Sequence, residues 1–113
     1  MTHPDDMTVL AAANEPAVGM GVTMSLMVDR LPGTVETIFR VGGDLAITCT
    51  VDQSLPDGTY RQQPKGDRYS FRRRPDGTWY EIRYVPKTET WRKASAGIRL
   101  ELGQRYSHRS PNF

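Results

Sequence analysis

Cysteine is nearly missing from this chain: Cys49 is the only one. One cysteine cannot form an internal disulfide, so the cross-linked frameworks of small secreted domains are excluded. A reducing, cytoplasmic setting is the expectation. Histidine is scarce too, and His3 and His108 both lie near the ends. With no cysteine pair and no central histidine, the pattern assembles neither a zinc site nor a Ser/Cys–His nucleophile, and no metal or cofactor is expected. Long apolar runs are absent. The longest uncharged stretch, 16–28, is broken by Gly19 and Gly21 and is too short to span a bilayer. The opening Met-Thr-His-Pro-Asp-Asp carries negative charge where a secretory leader carries positive charge, so neither leader nor membrane anchor is expected.

Basic and aromatic side chains are missing from the first half. Residues 1–60 hold two bases, Arg30 and Arg40, against eight acids; residues 61–113 hold thirteen bases against five acids. Nine of the ten aromatics lie from Tyr60 onward. The small net charge of +2 conceals that division. A split of this size points to a basic surface, built by the second half, that faces a partner.

What is present is alternation. From Gly19, the residues Met20, Val22, Met24, Leu26 and Val28 alternate with smaller or polar ones, the period of a strand with one buried face. Leu31-Pro32-Gly33 reads as a turn. Two further runs, 34–41 and 44–52, flank Gly42-Gly43, a hairpin signal, because glycine accepts the positive φ of tight primed turns. Leu55-Pro56-Asp57-Gly58 and Pro64-Lys65-Gly66 break the chain around a short strand at 59–63. Pro75-Asp76-Gly77 then joins 67–74 to 78–85 in a second hairpin. Residues 97–102 form a last strand. Before these, Pro4, Asp5 and Asp6 suit the first turn of a short helix over 4–13.

The expected fold is mainly β: one antiparallel barrel or sandwich of six to seven short strands with a short N-terminal helix. Residues 1–18 form an N-terminal helical or extended segment, 19–102 the β domain and 103–113 a tail without apolar pattern. The flat strand 19–28, if it lay at a sheet edge, would pair with a second copy to give a homodimer.

The second hairpin carries the chemistry. One pairing puts Tyr69, Phe71, Tyr80, Ile82 and Tyr84 on the core side, leaving Arg72, Arg74, Trp79, Glu81 and Arg83 outward. Arg92, Lys93, Arg99, Arg105 and Arg109 extend the excess of positive charge. Arg72, Arg74, Trp79, Arg83, Arg92 and Lys93 are therefore the candidate partner-binding residues of a non-catalytic module. Arginine forks suit carboxylate clusters, so the expected partner is a protein with an acidic surface, bound in an inhibitor or adaptor role. Arginines around an exposed indole also suit single-stranded nucleic acid, the second reading. The bland alternative is a solvated sheet face whose charges the acidic first half cancels.

Gly77-Thr78-Trp79-Tyr80-Glu81-Ile82 resembles the Gly-x-Trp signature of lipocalins, which are ligand-carrying barrels. In that family the signature lies on the first barrel strand, whereas here 31 residues follow it, and no residue role is carried over. The resemblance implies a third reading: a small barrel with Met20, Met24, Leu26 and aromatics turned inward around an apolar ligand.

Overall fold

The alternating runs become strands of one sheet. The structure, a computed structural model, describes residues 15–27, 29–94 and 97–105; the expected helix over 4–13 lies outside them. The strands are β1 (Gly21–Leu26), β2 (Asp29–Val41), β3 (Asp44–Val51), β4 (Gln53–Ser54), β5 (Tyr60–Arg61), β6 (Arg68–Arg73), β7 (Trp79–Val85), β8 (Thr90–Lys93) and β9 (Arg99–Leu102). Seven make a sheet in the order β8-β7-β6-β3-β2-β1-β9, while β4 and β5 pair separately. Every pairing is antiparallel. β1 is not an edge, because β2 and β9 flank it. The expected route to a homodimer through 19–28 is therefore closed; among the described residues the edges are β8 and β9.

Strands β8 and β9 are consecutive in the chain yet lie at opposite edges. Six residue steps from Lys93 to Arg99 reach at most about 21 Å. Seven flat strands would hold their edges about 29 Å apart. The sheet must curl to satisfy the short connection, and β9 comes alongside β7. Among the described residues no backbone ladder joins them, so the sheet stays open along that seam.

Three turns follow the sequence signals. Val41 pairs with Asp44 around Gly42 (φ 56°) and Gly43 (φ 90°). Pro-Asp-Gly-Thr occurs twice and builds the same turn twice. In each, the aspartate Oδ1 accepts the threonine N–H at 2.9 Å and its hydroxyl at 2.6 Å. The glycines adopt φ 85° (Gly58) and 89° (Gly77). These bonds, the hydroxyl first, hold Asp57 and Asp76 below the usual carboxylate range. A depressed folded-state pKa gives stability that is present above the unfolded value near ~4 and lost as pH falls through the folded value. Replacing both aspartates by alanine should therefore lower the thermal midpoint at pH 6, and that deficit should shrink on acidification to pH 3. A deficit constant across that range would refute the assignment.

One expected turn is misplaced. Leu31-Pro32-Gly33 lies inside β2, and the chain reverses instead at Met27, fully exposed at φ 49°, with Leu26 paired to Asp29. Proline fits within β2 because its ladder with β3 starts at Gly33, and the Pro32 carbonyl accepts the Asp52 N–H at 2.8 Å. Gly33 answers a packing need: a Cβ there would stand 2.5 Å from Met24 Cε and 2.8 Å from the Thr50 carbonyl oxygen.

The core is one face of the curl. Val22, Met24, Val35, Ile47, Cys49, Phe71 and Ile98 are buried together, with Met20, Leu26, Tyr69 and Trp79 packed against them. Burial, reinforced by the negative charge of Asp52, pushes the Cys49 thiol up to about 12. At neutral pH it is an apolar core group rather than a nucleophile. The opposite face carries Ile82 and a smaller aromatic cluster in which the Trp91 ring lies 5.1 Å from Phe39 and 5.3 Å from Tyr84.

The start of the expected tail is anchored. Gly103 N–H donates to the Gly21 carbonyl (2.8 Å), and Gln104 accepts from the Thr23 hydroxyl (2.7 Å). Arg105 reaches Asp52, whose side chain is 1% exposed, at 2.9 Å.

Candidate functional site

The register of the second hairpin decides which side chains are available. Arg74 N–H bonds the Thr78 carbonyl, and from there Arg73 pairs with Trp79, Arg72 with Tyr80, Phe71 with Glu81 and Ser70 with Ile82. Directly paired residues share a face. Trp79 and Glu81 therefore lie on the core side with Phe71, while Tyr80, Ile82 and Tyr84 lie on the other side with Arg72. On β7 the expected division is displaced by one residue, which exchanges its two faces, while Tyr69 and Phe71 of β6 lie on the core side as expected. Trp79 is half-buried against the core, with the Arg73 guanidinium 5.8 Å from its ring centre. Tyr84, expected inside, is 48% exposed.

The two charge halves meet. Strand β3 closes the acidic half and lies against β6 of the basic half. Among the described residues, ion pairs cross between the halves at Arg68–Glu36 (3.0 Å), Arg72–Asp44 (2.8 Å), Arg73–Glu15 (2.8 Å) and Arg105–Asp52 (2.9 Å). Much of the apparent basic excess is thus internal pairing. Among the candidate residues, Arg72 is committed to Asp44, and Arg83 lies 3.4 Å from Glu81. Arg92 is exposed opposite Arg83. Arg74 is exposed with its guanidinium 4.4 Å from the Tyr80 ring centre. Lys93 is exposed, with no carboxylate partner among the described residues.

Three of the six, Arg74, Trp79 and Lys93, come together in a cleft of about 810 Å³ along the open seam. Its far wall is β9, with Arg99, Glu101, Ile98, Leu100 and Leu102. Arg72, Arg83 and Arg92 stand outside it. Arg99, noted only as part of the basic excess, and Glu81, expected outward, were not among the residues assigned to binding. Nothing local ties β9 to β7; only the short connection through Ala94 and Ile98, both buried, forces the approach. The Ala94 N–H donates to the Glu81 carbonyl at 2.9 Å and sets that connection against β7. The residues expected to surround an apolar ligand, Met20, Met24 and Leu26, instead pack into the core cluster.

No protein-family model, curated protein or solved structure matches this chain. The lipocalin-like run forms a turn and the start of β7, the seventh strand in chain order. No helix among the described residues is long and apolar enough to cross a membrane.

Proposed function

We propose that this protein is a non-catalytic binding module, a curled, barrel-like sheet that takes an acidic segment of a protein partner along the cleft between β7 and β9. The observation that carries this reading is the position of Arg74, Lys93 and Arg99 around one cleft, none of them in an ion pair among the described residues, while four other bases are already neutralised across the sheet. Cations outside any ion pair among the described residues, beside half-buried Leu100 and Leu102, suit a chain that offers carboxylates and apolar contact together. The nucleic-acid reading needs a free stacking ring. Trp79 packs on the core, and Trp91 lies between Phe39 and Tyr84, which favours the protein partner.

A fluorescein-labelled oligoglutamate peptide tests the reading by anisotropy at about 50 mM salt. The double variant Lys93→Glu/Arg99→Glu should bind it at least about tenfold more weakly. Lys65→Glu, outside the cleft, should leave binding within about twofold. Equal loss from both variants, or tighter binding of oligothymidylate than of the peptide, would reject the reading.

A further inference from the structure

The cleft contains a carboxylate with one buried oxygen that no donor in the fold satisfies among the described residues. Glu81 is 3% exposed and sits on the core face opposite Phe71. Its Oε2 lies 3.4 Å from Arg83 Nε, whose own side chain is 66% exposed. Its Oε1 is buried and has no hydrogen-bond partner among the described residues. A buried acceptor without a donor is a stability liability, and an apolar side chain of similar size would remove it. The residue lines the cleft together with Trp79, Lys93 and Arg99.

We infer that Glu81 is the recognition group of this cleft, its Oε1 accepting a hydrogen bond from an uncharged amide or hydroxyl side chain on the acidic segment. The inference rests on the reading proposed above and adds what that segment must carry. Charge selects an uncharged donor. Arg74, Lys93 and Arg99 outnumber Glu81 and Glu101 in the lining, and Arg83 already faces the Glu81 carboxylate. An incoming ammonium would meet that positive surplus, whereas an Asn, Gln, Ser or Thr between acidic neighbours meets none of it.

Two labelled peptides test this on the full chain: four glutamates on each side of a central asparagine, and the same peptide with a central leucine of nearly equal shape. The wild type should prefer the asparagine peptide by about tenfold or more, because a site that hydrogen-bonds a group rejects the analogue lacking it. Glu81→Met should bring the two affinities within about twofold while still binding the leucine peptide, and should melt no lower than the wild type. Glu81→Gln keeps a carbonyl acceptor and should retain part of the preference. Equal wild-type affinity for both peptides would overturn the inference and leave the acidic-partner reading standing. No binding of either peptide would overturn both. A clear fall in melting temperature for both variants would make Glu81 structural and overturn the inference as well.

Discussion

Replacing Arg105 by methionine should lower stability by about 2–3 kcal/mol, a fall of roughly 10 °C in melting temperature for a domain of this size. Arg105 Nε donates to Asp52 Oδ2 at 2.9 Å, its Nη2 donates to the Thr34 hydroxyl at 3.1 Å, and that hydroxyl donates to Asp52 Oδ1 at 2.8 Å. The three groups come from β2, the residue after β3, and the chain after β9. Arg105 also lies over Gly21 in β1, where a Cβ would meet its guanidinium carbon at 2.8 Å. Removing the arginine leaves Asp52 buried with one donor, the costly half of breaking an ion pair. The arginine is 34% exposed along its side chain, so water recovers part of the loss, and the value falls below that of a fully buried pair. The double variant Asp52→Leu/Arg105→Met should regain much of the deficit, since no isolated charge then remains. Thermal unfolding of both variants checks this. A single variant within about 2 °C of the wild type would show that the segment after β9 contributes no anchoring.

Gly33→Ala should be comparably damaging, about 2–3 kcal/mol, through overpacking alone. The added methyl would stand 2.5 Å from Met24 Cε and 2.8 Å from the Thr50 carbonyl oxygen. The methionine terminus can swing away, since Met is the most adaptable core side chain. The Thr50 oxygen belongs to β3, which pairs with β2 at this point, and it cannot move without disturbing the ladder. Combining Gly33→Ala with Met24→Leu should therefore leave most of the loss in place. Denaturant unfolding of the single and double variants separates the two contacts. Full rescue by Met24→Leu would mean that only the methionine resisted.

How far the sequence could be read depended on the range of the forces involved. The Gly42-Gly43 and Asp76-Gly77 turns were legible because a positive φ is a local demand that glycine meets. Alternation along 44–52 also puts Cys49 in phase with Ile47 and Val51, the side that the fold buries. The Pro32-Gly33 pair misled because its cause is non-local: Gly33 makes room for Met24 and β3 rather than for a turn. Met27 turns the chain with no residue that announces it. The face of Trp79 and Glu81 hung on one residue of register, and alternation alone is blind to such a shift when both faces carry aromatics.

The charge division, with acids before residue 60 and bases after, was determined by the sequence alone, as were the strand-forming runs and the absence of a cysteine framework. The tertiary structure decided what that division means. By setting β3 against β6 it brought Arg72 to Asp44, and by anchoring the chain after β9 on β1 it brought Arg105 to Asp52. By forcing β9 alongside β7 through a short connection it set Arg74, Lys93 and Arg99 along one cleft that Glu81 also lines. Composition counts charges along the chain. Coulomb attraction acts through a few ångströms of space, so only the folded sheet could determine which of them remain for a partner.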